Sequence, residues 1–114
     1  MKLCSSEPQI VTILNGVALS DAIYFAPFSK GVIHMPAAWT AANIGFHVSS
    51  EPAGTYLPLY DGVNPVVITG PAVNQAYPLP AGLAGAHYFK LWSNTGGADT
   101  NQGADRAITV ELKA

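Results

Sequence analysis

The feature that most constrains this chain is the regular spacing of its turn-forming residues. Eleven glycines and nine prolines occur in 114 residues, and with Asn-Gly and Asp-Gly pairs they interrupt the apolar sequence about every 8–12 residues. No segment keeps the 3.6-residue apolar period of an amphipathic helix over about ten residues. The chain therefore predicts a fold of short strands and turns.

The predicted strands share apolar or aromatic side chains at alternate positions and end at turn-forming residues. They cover residues 9–14, 17–25, 30–35, 43–49, 55–61, 65–69, 75–79, 87–93 and 106–113. Single helical turns are predicted at residues 37–39, directly after Pro36, and within residues 80–87. This pattern indicates one all-β domain over residues 1–114, an antiparallel β-sandwich or jelly roll of about eight short strands. Residues 1–8 are expected to form a flexible N-terminal arm.

The alternation of side chains predicts which residues form the core. The inward-facing side chains are expected to be Ile44, Phe46, Val48, Phe89, Leu91, Ile108, Val110 and Leu112. The opposite side of the strand at 87–93 then presents an outer row of aromatic and basic side chains. Such side chains contribute strongly to association when a partner buries them. With apolar residues near the N-terminus, the candidate partner contacts are Tyr88, Lys90, Trp92, Ile10, Val11 and Ile13. We expect Trp92→Ala to weaken partner binding and to leave the fold intact.

Charge and hydropathy exclude several classes of function. Only 11% of the residues are charged and the net charge is −2, with no basic cluster, so nucleic-acid binding has no electrostatic support. No apolar run approaches the roughly 20 residues of a membrane span, and the N-terminus has no signal-peptide pattern. Cys4 is the single cysteine, so no intrachain disulfide is expected. A surface with so few charges favours burial in an assembly over life as a free monomer.

The residues that usually carry chemistry form no organised set. His34 and His47 are expected on outer strand faces where they could meet, but no cysteine or glutamate is spaced to complete a metal site with them or with His87. Residues 94–106 resemble a calcium-binding loop only weakly, and a long hairpin connection explains their Asn, Asp and Gly content. No serine lies in a G-x-S-x-G motif, and the seven carboxylates are scattered, mostly in turns. We expect no metal, no cofactor and no enzymatic activity.

Trp39 has two interpretations. It follows a predicted strand end beside alanines, so its ring can fold over the end of the sandwich and pack on Phe46, Leu59 and Phe89. Alternatively, Trp39, Tyr56 and Tyr60 provide a flat platform for a sugar ring. The sequence favours the first interpretation, a cover for the core.

Three stretches of this chain resemble small proteins encoded by tailed bacteriophages and prophages. They are VIHMPAAWTAANIGFHVSSEPAGTYLPLYD (32–61), YFKLWSNT (88–95) and NQGADRAITVEL (101–112). The distinctive elements are the P-A-A-W-T turn and the later P-L-Y-D turn, and the resemblance spans residues 30–113. The chain departs from the pattern at Trp92, where a polar or basic residue is usual, and at Asn94, where glycine is usual.

The resemblance implies a structural protein of the virion. In size and inferred fold the chain is similar to jelly-roll cement, or decoration, proteins, which bind the major capsid protein and clamp neighbouring subunits. It implies a homodimer or homotrimer, made in the host cytoplasm and located on the capsid surface. Carbohydrate-binding modules have a similar fold, so a glycan-binding protein on a phage appendage is the alternative.

Overall fold

The computed structural model describes residues 6–114, with side chains from residue 8 onward. Its strands are β1 (Ser6–Ile13), β2 (Leu19–Tyr24), β3 (Lys30–His34), β4 (Asn43–Ser49), β5 (Leu57–Pro58), β6 (Tyr60–Asp61), β7 (Asn64–Pro65), β8 (Ala76–Pro78), β9 (Tyr88–Thr95), β10 (Ala98–Asp99) and β11 (Arg106–Lys113), and a 3₁₀ helix spans Ala81–Gly85. No α-helix occurs in these residues. The all-β prediction is confirmed, as is the helical turn within 80–87.

Nine of the described strands form one curled antiparallel sheet that folds over into two layers, and β6 and β7 form a separate two-stranded sheet. The first layer has the order β1-β11-β3-β8 and the second the order β2-β9-β4-β5. The main chain pairs β1 with β11, β2 with β9, β3 with β8 and β4 with β5. Early strands therefore pair with late ones across the chain, as in a jelly roll.

The two layers meet where β1 turns into β2. The predicted Asn15-Gly16 turn is present, with Gly16 at φ +80°, but β1 and β2 share only the pair Ile13–Ser20. A register shift in β2 between Leu19 and Ala22 marks a bulge, and the Ser20 hydroxyl accepts a hydrogen bond from the Leu91 amide at 2.9 Å. Bulges bend a strand, so this one lets the chain pass from one layer to the other.

The core lies between the layers and follows the predicted alternation. Ile108, Val110 and Leu112 of β11 are fully buried, as are Phe89 and Leu91 of β9. The aromatic centre is a cluster in which the Phe89 ring packs edge-to-face on two other phenylalanines. Its centroid lies 5.3 Å from that of Phe25 and 5.8 Å from that of Phe46.

The predicted strands at 55–61 and 65–69 are wrong in extent. The chain follows the edge of β4 only as far as Leu59, whose amide donates to the Phe46 carbonyl. It then leaves as the β6/β7 hairpin and returns at Ile68, which forms an isolated bridge with Ile44. The sequence alternates through this region, but the hairpin interrupts the edge of the sheet.

The helical turn predicted at residues 37–39 is also wrong. Residues 35–42 contain no regular structure. The Thr40 amide and carbonyl both bind the side chain of Gln102, at 2.8 and 3.1 Å. These bonds occupy the backbone groups that a helical turn would use.

The N-terminal segment differs from the expected arm. Residues 6–8 belong to β1, with Ser6 opposite Lys113, whereas residues 1–5, including Cys4, lie outside the described residues. Val11 and Ile13 face the core and are 4% and 0% exposed, so they were wrong as candidate partner contacts. Ile10 points the other way and is 70% exposed.

We predict that Gly45→Ala destabilises the protein. A Cβ atom there would lie 2.6 Å from Asn94 Nδ2 and 2.8 Å from Trp92 Cε3, both in buried side chains. Overpacking of this kind costs about 1–3 kcal/mol, measured as the free energy of unfolding in urea. Gly85→Ala is the matched control, since a Cβ there has no heavy atom within 4 Å; equal stability of the two variants would contradict the packing described.

Candidate functional site

The second layer presents an aromatic and basic surface on its outer side. Cross-strand pairing places Tyr24 of β2 opposite Tyr88 of β9, and their ring centroids lie 5.2 Å apart. The Lys90 Nζ atom lies 4.6 Å from the centroid of the Tyr56 ring. We call Tyr24, Tyr56, Tyr88 and Lys90 the tyrosine face.

Two contacts hold this surface in place. The Tyr56 hydroxyl donates to the Pro52 carbonyl at 2.9 Å, which fixes the ring beneath the Lys90 ammonium. A cation above an aromatic ring is attracted to its electron-rich face. Burial raises the pKa of Tyr56, and Tyr88 adds to the shift.

The tyrosine face remains open to a partner. Tyr24 is 49% exposed, whereas Tyr88 and Lys90 are half-buried. Among the residues with described side chains, no carboxylate lies within 4 Å of Lys90. The face therefore offers a positive charge and phenol rings.

The prediction that Trp92 is an exposed partner contact was wrong. Trp92 does lie on the outer side of β9, but it is only 3% exposed. Its indole Nε1 donates to Asp99 Oδ1 at 2.7 Å, and its ring packs against that of His47 with centroids 4.6 Å apart. Because Trp92 is buried, we no longer expect Trp92→Ala to leave the fold intact.

The burial of Trp92 depends on contacts that are distant in sequence. The Gly96-Gly97 turn folds β10 back along β9 and brings Asp99 to the indole. Across the pair, Gly45 lies opposite Trp92 and leaves room for its ring. A glycine inside a strand often marks such a close approach, so Gly45 was the available sequence signal.

The two histidines expected to meet lie in different layers. His34 of β3 is on the outer side of the first layer, where its Nε2 lies 2.5 Å from Glu111 Oε1. His47 of β4 is on the outer side of the second layer, against Trp92. The prediction that His34 and His47 could meet was wrong, because β3 and β4 belong to different layers. No group of three metal-ligating side chains occurs among the described residues.

Gln102, a buried glutamine that the sequence did not single out, connects the P-A-A-W-T turn with the N-Q-G-A-D-R segment. Gln102 is almost fully buried, and its Nε2 donates to the Ser93 hydroxyl at 2.8 Å as well as to the Thr40 carbonyl. Arg106 donates to Gln102 Oε1 and to the Thr40 hydroxyl, both at 3.2 Å. The P-A-A-W-T turn and the N-Q-G-A-D-R segment therefore contact each other, and their role here is structural.

The three aromatic residues proposed for sugar binding have different neighbours. Trp39 packs against the core, and its Nε1 donates to the Ala42 carbonyl at 3.2 Å, so the core-cover interpretation is confirmed. Tyr56 belongs to the tyrosine face. Tyr60 is exposed on the β6/β7 hairpin, with its hydroxyl beside Gly97.

Comparison with known proteins gives one informative match. No family model and no curated protein matches the sequence. The fold is similar to the crystal structure of the SPBc2 prophage-derived protein YomS, with a TM-score of 0.59 over 100% of this chain and 97% of that chain. At 11% identity, the likeness shows the fold. Within the described residues, no helix is long and apolar enough to span a membrane.

We predict that Gln102→Leu destabilises the protein by about 1–3 kcal/mol, because the Thr40 backbone and Ser93 hydroxyl lose buried hydrogen-bond partners. Amide hydrogen exchange should accelerate at Thr40. Asn101→Ala, at an exposed neighbouring position, serves as the control. Unchanged exchange at Thr40 in the Gln102 variant would contradict the network.

A second prediction concerns pH. Burial lowers the pKa of His47, with Asp99 opposing the shift and Lys90 adding to it, and its Nε2 is buried without a hydrogen-bond partner. Since the unfolded chain then takes up the proton first, the free energy of unfolding should fall as the pH drops below about 6.5. His47→Gln should make this decline shallower in urea titrations across that range. Equal slopes for the two proteins would contradict it.

Proposed function

We propose that this chain is a non-enzymatic structural protein of a tailed-phage particle, a capsid cement protein that binds the major capsid protein. It would be made in the host cytoplasm and located on the capsid surface. Two lines of support converge on this proposal. The jelly-roll fold is shared over the full chain with a prophage-derived protein, and the sequence motifs resemble those of small phage proteins.

The observation that carries the proposal is the tyrosine face. Tyrosine is enriched in protein interfaces, where it supplies large contact area and a polar group. Tyr24 and Tyr88 are available on the outer surface, and the Lys90 ammonium beside them is held by the Tyr56 ring. Three surface grooves are lined by other residues, although one of them adjoins the face at Thr55 and His87. Because the tyrosine face lines none of these grooves, it fits a macromolecular partner better than a small ligand, which prefers a concave site.

Avidity would supply the mechanism. Each copy would make a modest contact through its tyrosine face, and repetition over the capsid lattice would make removal of the bound layer costly. The low charge content of the chain agrees with a surface that is partly covered in the assembly. Stabilisation of the shell would follow from bridging between neighbouring coat subunits.

The alternative function, glycan binding through Trp39, Tyr56 and Tyr60, has less support from the geometry. Trp39 packs on the core, and one face of the Tyr56 ring is occupied by the Lys90 ammonium. A glycan array with the purified protein tests this alternative directly. Saccharide binding that is abolished by Tyr56→Ala would favour it over the capsid role.

The capsid role predicts a loss of occupancy when the tyrosine face is altered. In a phage that encodes this chain, the double substitution Tyr24→Ala and Lys90→Gln should lower the number of copies per particle by roughly tenfold or more, since interface anchors contribute about 2 kcal/mol each. Quantitative mass spectrometry of purified particles measures this number.

Leu14→Ala is the matched control, because Leu14 is an exposed apolar residue at the β1–β2 turn, away from the tyrosine face. Its occupancy should equal that of the wild type. Absence of the wild-type chain from the particles, or equal occupancy of both variants, would overturn the proposed role.

A further inference from the structure

A groove at the open edge of the first layer has an unbalanced charge. It has a volume of about 410 Å³ and is lined in part by Lys30, Lys113, Val32 and Leu79. Lys30 and Lys113 lie directly opposite each other on β3 and β11. Like charges in this arrangement destabilise a sheet, and a negative group in the groove would remove the repulsion.

The groove holds one described carboxylate, Glu111, against the two lysines. The Oε1 atom of Glu111 is engaged by His34 Nε2 at 2.5 Å. Among the residues with described side chains, no carboxylate lies within 4 Å of Lys30 or Lys113. With two lysines and one glutamate, the groove therefore presents a net positive charge beside the apolar side chains of Val32 and Leu79.

The β6/β7 hairpin has the complementary chemistry. Val63 at its tip is 89% exposed, more than any other large apolar side chain described, and Gly62 beside it has φ +66°. The preceding residue, Asp61, is exposed and forms no described ion pair. The hairpin thus projects a carboxylate and an apolar side chain together.

The groove and the hairpin both adjoin residues 79–80, which follow the edge strand β8. Strands β8 and β5 are the terminal strands of the two layers. A second groove is lined by Tyr60 and Asp61 of the hairpin and by Pro80. The adjoining Leu79 lines the groove that contains Lys30 and Lys113, which we call the lysine groove.

We propose that this chain forms a two-fold dimer in which the 60–65 hairpin of each copy enters the lysine groove of the other. Asp61 of one copy then lies between Lys30 and Lys113 of its partner and balances the positive charge that Glu111 leaves, while Val63 covers Val32 and Leu79. The interface is isologous, since the same two features contribute from both copies. The proposal stands independently of the virion role, because both contacting elements belong to this chain.

Sedimentation equilibrium and native mass spectrometry of the full chain test the dimer. The wild type should dimerise, with a dissociation constant on the order of micromolar, as expected for a small interface. Asp61→Lys should weaken dimerisation at least tenfold, and so should the double substitution Lys30→Glu and Lys113→Glu, since each places like charges together. Asp21→Lys, an equal charge change at an exposed position of β2, should have no effect.

Mixing the two charge-reversed proteins gives the decisive result. The mixture should form a heterodimer with near wild-type affinity, because both of its reciprocal contacts again join opposite charges. Far-ultraviolet circular dichroism confirms that each variant is folded. Where Asp61→Lys is not folded, Val63→Lys brings a positive charge to the hairpin tip and should likewise weaken dimerisation.

Several outcomes would overturn the dimer. The first is a wild type that stays monomeric up to about millimolar concentration, where even a weak interface would be populated. Equal dimerisation of the Asp61 and Asp21 variants, failure of the mixture to associate, or a closed trimer in place of a dimer are the others.

Discussion

The structure depends on the alternation of side chains along β9 and β11, the strands that lie inside the second and first layers. Each strand places one row of side chains between the layers and the other row on an outer surface. Phe89, wedged edge-to-face between Phe25 and Phe46, is the aromatic centre of the interior. A shift of one residue in either strand would exchange the buried and exposed rows, so this register determines both the core and the surfaces available for binding.

The sequence predicted the regular elements well and the outer surface less well. The bounds of β4 and β11 agree with the predicted segments 43–49 and 106–113, because alternation is a local property. The burial of Trp92 was missed since it depends on Asp99, which returns only through the β9–β10 turn. Likewise, nothing local indicates that Gln102 binds the backbone of Thr40, 62 residues away in sequence.

The outer side of the second layer is divided by this Trp92 packing. At one end the indole, His47 and Asp99 close the surface; at the other end the tyrosine face stays open. The lysine groove and the hairpin both adjoin residues 79–80. If they join two copies, each dimer presents two tyrosine faces, and such a dimer is suited to bridging two neighbouring subunits of a lattice.

In the proposed role, the chain binds a protein lattice through the outer side of its second layer. Hydroxyl-radical footprinting of the protein, free and bound to particles of its phage, tests this claim most directly. The account predicts lower labelling of Tyr24 and Tyr88 in the bound state and unchanged labelling of Ile10, on the outer side of the first layer. Protection of Ile10 with unchanged labelling of the two tyrosines would contradict it.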